Sequence, residues 1–204
     1  MANWRVIENT GQTLATLLRR HVAALNISNV EVGVVTPAAF TSLADTTDPF
    51  ISLFLFQIVG NAEMRGNPRR VLADGTLGRQ PLPLELCYLV TAWGVRTTAD
   101  VIGDLTATRD EAQLMGAILQ AFYDNAEMDR GGLFEDLGQP VWSPEDGLQI
   151  IMETLPVDGH YRIWDAAELG YRLSLVYRVR VASLEPTETP PAPPVREAVL
   201  EAVP

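Results

Sequence analysis

Asp158, His160 and Asp165 lie close together in the stretch DGHYRIWDAAELG, where the residue types first suggest chemistry. Two carboxyls flanking an imidazole are the parts of a general acid–base pair, provided a fold aims them at one bond. Cys87, the single cysteine, is a second candidate, since a thiolate is a nucleophile. Neither constellation matches a recurring catalytic arrangement. The first is also the spacing of a helix start, with Asp158 as the capping residue and a surface histidine beside it. Cys87 falls inside LPLELCYLVTAWG, an apolar run that a strand would bury and leave inert. No G-x-S-x-G turn is present to lift a serine out of a sheet.

Metals and cofactors find equally little. The two histidines, His21 and His160, and the one cysteine provide no ligand pair at zinc spacing. In NAEMDRGGLFED, Asn125, Glu127, Asp129 and Asp136 fall near calcium-loop positions 1, 3, 5 and 12. The initial Asp, the glycine at position 6 and the closing Glu are missing. Phosphate-cradling and dinucleotide glycine patterns are absent. All 15 cationic residues are Arg, so a catalytic Lys and a Schiff base are excluded. The expectation is of no catalytic residue, no cofactor and no metal, and so not an enzyme. A small hydrolase using Cys87 or the His160 region stands as the rival.

The elements that would carry these residues can be read along the chain. Its 204 residues, 47% hydrophobic and 20% charged, suit one globular domain. Apolar spacing over 3–25 (Trp4, Ile7, Gly11, Leu14, Leu18, Val22, Leu25) predicts a helix, with His21 half-buried at its margin. Strands are predicted at 29–35, 48–61, 82–94, 148–155 and 171–184. The 48–61 strand is apolar on both faces, with Phe50, Phe54, Phe56 and Ile58 on one and Ile51, Leu53, Leu55 and Val59 on the other. Such a strand is central in a sheet covered on both sides, or is covered by another subunit. TRDEAQLMGAILQAFYDN, 108–125, reads as a helix with a Thr108/Glu111 capping box. A short helix follows at 158–169. Residues 62–80 are turn-rich with four arginines, a loop or hairpin tip, and 126–147 reads as an inserted loop. The last 20 residues, 185–204, hold six prolines and form an extended tail. The order predicts a single α+β domain over 1–184, a mixed, mainly antiparallel sheet with an N-terminal helix and a second long helix packed on it.

Net charge −11 argues against a general nucleic-acid binder, although local basic patches remain open. One cysteine suits a reducing compartment, and the first residues lack a signal-type apolar run. No stretch approaches ~20 apolar residues. A soluble protein in a cytoplasm, without membrane insertion, is expected. Arg172, Arg178 and Arg180 share one face of the last strand. That is ordinarily a solvated face, but in so acidic a protein they can also meet carboxylates of a neighbouring subunit. Arg65, Arg69 and Arg70 of the 62–80 loop join them as candidate interface residues.

Taken together, the strand SLFLFQIVGN followed by MRGNP, LPLELCYLVTAWG leading into EAQLMGAILQAFYDN, and the closing YRIWDAAELGYRLSLVYRVRV carry a resemblance. The chain resembles the cap, or tail-terminator, family of phage-tail-like contractile injection systems over roughly residues 5–184, most specifically at 82–94, 113–125 and 164–181. The resemblance implies a homohexameric ring that closes the inner tube and sheath at the end distal to the baseplate, as part of a particle that is sometimes released. Sheath and inner-tube proteins are the implied partners. The 126–147 region, longer and more acidic than the family pattern, and the Pro-rich tail depart from it. Another structural part of the same particle, a baseplate or tube-completion protein, is the alternative.

Overall fold

Every residue from 83 to 93 is buried, and the molecule is built around this strand. The computed structural model of the protein describes residues 3–27, 29–60, 69–71, 77–96, 98, 100–136, 140–184 and 186. Its elements run α1 (Val6–Ala24), β1 (Glu31–Val34), α2 (Phe40–Ala44), β2 (Phe50–Gly60), β3 (Arg69–Val71), β4 (Leu77–Arg79), β5 (Leu82–Trp93), α3 (Val101–Asp124), β6 (Glu127–Met128), β7 (Leu148–Glu153), α4 (Val157–Ala166) and β8 (Ser174–Leu184). Six strands form one sheet in the order β1-β2-β5-β8-β7-β6, and β3 and β4 form a separate hairpin. β1 runs parallel to β2, and the other pairs of the sheet are antiparallel. This is the expected α+β architecture, with two further helices on the opposite face.

The long helices cover one face. Leu14 and Leu18 of α1 and Leu114, Ile118 and Phe122 of α3 pack with Leu53, Leu86, Tyr88, Ile150 and Val179 in the larger core. Each such aliphatic side chain withdrawn from water contributes roughly 1.5–3 kcal/mol before entropy is charged against it. The other face is covered by the short helices. There Phe40 of α2 and Trp164 of α4 meet Leu89, Trp93 and Val176 in a second, aromatic core. Ring centroids lie 5.2 Å apart for Phe40 and Trp164, and 5.6 Å for Phe40 and Trp93. Both indoles are satisfied there: Trp93 Nε1 donates to Ser52 Oγ at 2.8 Å, and Trp164 Nε1 to Ser174 Oγ at 3.3 Å. β2 is covered on both sides over Phe50–Phe56, as its two apolar faces required there, whereas Gln57, Ile58 and Gly60 beyond are exposed.

The details depart from the sequence reading in several places. A bulge between Leu55 and Gln57 slips the β2 register by one, so Ile58 pairs with Leu86 and Val59 with Glu85. The extra residue inverts the alternation beyond it, and Ile58 and Val59 exchange the expected faces. α3 begins at Val101, not at 108. Its cap is Asp100, whose Oδ1 accepts from Gly103 N at 3.0 Å. Thr108 lies inside the helix, its hydroxyl donating to Asp104 O at 2.9 Å, so there is no Thr108/Glu111 box. The expected start was too late because Val101, Ile102 and Leu105 of the first turns face solvent and do not extend the buried stripe. Trp4 precedes α1 and is 72% exposed, and Leu25 lies past its end, half out in water. α4 starts after Pro156 with no side-chain cap, so Asp158 sits in its first turn instead. β8 begins at Ser174, leaving Tyr171 and Leu173 exposed before it. The 126–147 segment is partly structured: β6 pairs with β7, and Asp129 caps a 3₁₀ turn at Arg130–Gly132.

The two margins of the sheet differ. On β1 the Glu31 and Val35 N–H groups bond Pro49 O and Leu53 O, so the even-numbered backbone groups point outward. Arg19 of α1 reaches over and donates to one of these, the Val32 carbonyl. On the far side β6 is two residues long and pairs with Leu148 and Gln149 of β7. Among the described residues, nothing pairs with Ile151–Glu153 along that margin.

Candidate interface

Strand pairing sets Glu85 directly opposite Arg180, and Cys87 opposite Arg178. Glu85 is buried, with Oε1 3.1 Å from Arg180 Nε and Oε2 3.2 Å from Arg178 NH1. Arg178 Nε also lies 2.6 Å from Glu153 Oε2, and Arg180 NH1 donates to Gln149 at 3.3 Å. The arginines of the last strand are therefore neutralised first by carboxylates of their own sheet. Cross-strand pairs of opposite charge stabilise a sheet by tenths of a kcal/mol to about 1 kcal/mol. Both guanidiniums remain about a third or more exposed, with donors left for a further partner.

Arg172 does a different job just before β8. Its NH1 donates to Glu111 Oε1 of α3 at 3.1 Å, and its guanidinium lies 4.6 Å from the centre of the Trp93 ring. It ties the start of the last strand to the end of β5 and to the long helix. Arg69 and Arg70 lie in β3, in register with Arg79 and Gly78, and their side chains are outside the described residues. Arg65 also lies outside them, as does all of the tail except Pro186. The structure brings Arg178 and Arg180 together on Glu85 and sets Arg172 apart, at the opposite end of β8.

The residues first considered for chemistry are dispersed. Cys87 is buried, and burial pushes its thiol above the ordinary value, partly opposed by the Arg178 charge. His160 Nδ1 lies 3.4 Å from Ser174 Oγ, which also accepts from the Trp164 indole and donates to the Arg172 carbonyl. Among the described residues no carboxylate is hydrogen-bonded to His160. Glu135, in the candidate calcium segment, bonds the Val141 and Trp142 N–H groups and Arg130; the Val141 N–H holds its carboxyl below the usual value. No group of three or more His, Cys, Asp or Glu among the described residues could hold a metal ion. No described helix is long and apolar enough to cross a membrane.

Burial holds the His160 pKa below its ordinary value, so the folded chain resists protonation more than the unfolded chain does. The stability tied to this imidazole is complete above about pH 6.5 and declines as pH falls through the lower folded value. His160→Gln should flatten that part of the curve, measured as the urea midpoint at successive pH values between 7.5 and 5, each flagged by its buffer at roughly constant ionic strength. An unchanged slope in the variant would show that the imidazole is not the titrating group.

Three features of the described surface are apolar, and the sequence reading did not single them out. Val101, Ile102 and Leu105 are each about two-thirds or more exposed at the start of α3. Tyr161 of α4 stacks on Tyr171, centroids 4.7 Å apart, beside exposed Val157 and Leu173. The third is a groove of about 470 Å³ between the C-terminal half of α3 and β7, walled by Leu119, Tyr123 and Met152. Tyr123 is 85% exposed. Gly116 lines the groove, and a Cβ there would meet nothing within 4 Å. A glycine inside a helix costs about 1 kcal/mol relative to Ala, and no neighbouring atom requires one at 116 for space. A signal was present in the spacing. Val101, Leu105, Leu119 and Tyr123 recur at helical intervals on a side of α3 that buries none of them.

A covered sheet that leaves apolar faces on its helices is the form of a subunit that packs against further chains. The chain belongs to the Pvc16 N-terminal domain family, whose model matches residues 9–197. Two solved structures are similar in fold. One is the sheath/tube terminator, in the extended state, of the extracellular contractile injection system PVC, with TM-score 0.57 and 17% identity over 100% of this chain and 65% of that one. The other is the tube-terminating cap of the anti-feeding prophage, with TM-score 0.58 and 19% identity over 95% of this chain and 60% of that one. The chain spans less than two-thirds of the length of either. No curated protein sequence matches it.

Proposed function

We propose that this chain is the terminating cap of a contractile injection system, a structural and non-enzymatic subunit that closes the tube and sheath and halts their growth. The observation that carries this reading is the family match over residues 9–197, joined to a similarity in fold to two solved terminators that spans 100% and 95% of this chain. Physical logic supports it. Tube and sheath grow by head-to-tail contacts that do not close on themselves, so growth stops only when the last layer meets a subunit complementary on one side. Six copies in a ring match a sixfold tube, and residues 1–184 form the unit that packs, with 185–204 as an arm. Arg65, Arg69 and Arg70 on the hairpin side, and the spare donors of Arg172, Arg178 and Arg180, are the polar contacts proposed for sheath, tube or neighbouring copies. Assembly takes place in the cytoplasm of the producing cell, before any release of the particle.

Electron microscopy of particles from cells lacking this chain tests the reading. Tubes and sheaths of widely scattered length with open ends are expected, with uniform length restored by the chain supplied in trans. Density for the chain at the baseplate end, or particles of normal uniform length without it, would refute the assignment.

A further inference from the structure

β7 is paired with β8 over Gln149–Glu153, but on its other side the short β6 reaches only part of it. We propose that Ile151–Glu153, with the groove beside them, take up an extended segment of a partner protein as an antiparallel strand. In that segment apolar side chains alternate with arginine or lysine. This inference does not rest on the cap reading.

The backbone decides that the occupant is a strand. The Ile150 N–H donates to Ala126 O at 2.7 Å, so the even-numbered N–H and C=O groups of β7 point away from β8. Those of Met152 point the same way, and among the described residues no strand lies level with them. A donor and an acceptor set out at the spacing of a sheet are matched best by another extended backbone. β7 has no proline and no bulge over Ile151–Glu153 that would turn such a segment aside. A strand that prolongs the line of β6 runs antiparallel to β7, as β6 itself does.

Side chains decide its composition. Ile150 and Met152 line the apolar groove together with Leu119 and Tyr123 of α3, and both Met152 and Tyr123 are exposed. A residue paired with Met152 has its side chain on the same face of the sheet, and so in the groove. Its neighbours project from the other face, which carries Glu153 and, level with Gln149, the exposed Glu127. Among the strand residues there, Glu85, Glu127 and Glu153 outnumber Arg178 and Arg180. A further cation is therefore favoured on that face.

Titration calorimetry of the full chain with the acetylated and amidated peptide Arg-Val-Arg-Val-Arg-Val tests the proposal. Saturable binding is expected, and the same peptide with glutamate at every arginine should bind about tenfold or more weakly. In an antiparallel pair the valine amides face β7, so methylating those nitrogens should weaken binding about tenfold or more. Methylating the arginine amides, which face away, should change it by about twofold or less. Met152→Arg, at an exposed side chain, should weaken the unmethylated peptide about tenfold and leave the urea midpoint unchanged. Hydrogen exchange at the Met152 amide should slow only when the peptide is present. Absence of saturable binding, equal binding of the two methylated forms, or a loss confined to the arginine-methylated form would overturn the proposal. So would a Met152 amide already slow to exchange in the chain alone, since part of the same chain or a second copy would then fill the position.

Discussion

Trp164→Ala should lower the stability of the protein by about 3–5 kcal/mol, the range for emptying a fully buried tryptophan site. The indole is wholly buried between Phe40 and Trp93, and its N–H is bonded to Ser174. The helices on this face are short: α4 has ten residues and α2 five. Helices of that length do not hold together on their own and depend on docking. Collapse around the cavity is opposed by the sheet beneath it, whose strands are fixed by the larger core on the far side. The loss should therefore be local first: near-ultraviolet circular dichroism weakens, and α4 amides lose protection before those of β5. Trp164→Phe keeps most of the ring packing and should cost about 1–2 kcal/mol. A Trp164→Ala protein whose urea midpoint matches the unmodified chain would mean that the aromatic core is not what holds the second layer.

Gly94→Ala is expected to cost about 3 kcal/mol, the upper end of ordinary overpacking. Gly94 ends the β5 run, where the chain turns toward α3. A Cβ there would lie 2.1 Å from the Ala107 carbonyl oxygen and 2.8 Å from its carbon. Both are backbone atoms in the middle of a helical turn, so neither can swing aside as a side-chain tip would. Relief requires shifting α3 away from the sheet, which also lengthens the Gly94 N–H contact to Glu111 and pulls at the Arg172 bridge. Urea unfolding followed by fluorescence reads the loss directly, and a double variant with Arg172→Ala measures the coupling between the two sites. Additive losses would show that the helix does not move.

How much of this was legible in the sequence follows from where the side chains point. β5 was read correctly because both of its faces are buried and a long apolar run results, and β8 was recognised from its alternation, although its start was placed three residues too early. The C-terminal half of α3 was clear for a similar reason: Leu114, Met115, Ile118 and Phe122 face one core. Its first two turns were missed because their apolar residues are displayed to solvent, where periodicity carries no information about burial. The β2 bulge leaves no mark in composition, since Phe56 fits either face. The arginines of β8 were visible as a row, whereas their pairing with Glu85 depended on a strand 93 residues away in sequence from Arg178. The groove was the least legible feature, because its lining comes from α3, β7 and β8, elements separated in sequence.

The unequal margins of the sheet give the subunit a direction. Arg19 occupies an outward carbonyl of β1, so a foreign strand arriving there meets an acceptor already taken. At β7, among the described residues, the rim is unpaired along Ile151–Glu153. The two edges of the subunit are thus unequal partners for an added strand, one with a backbone acceptor already engaged and the other open along three residues.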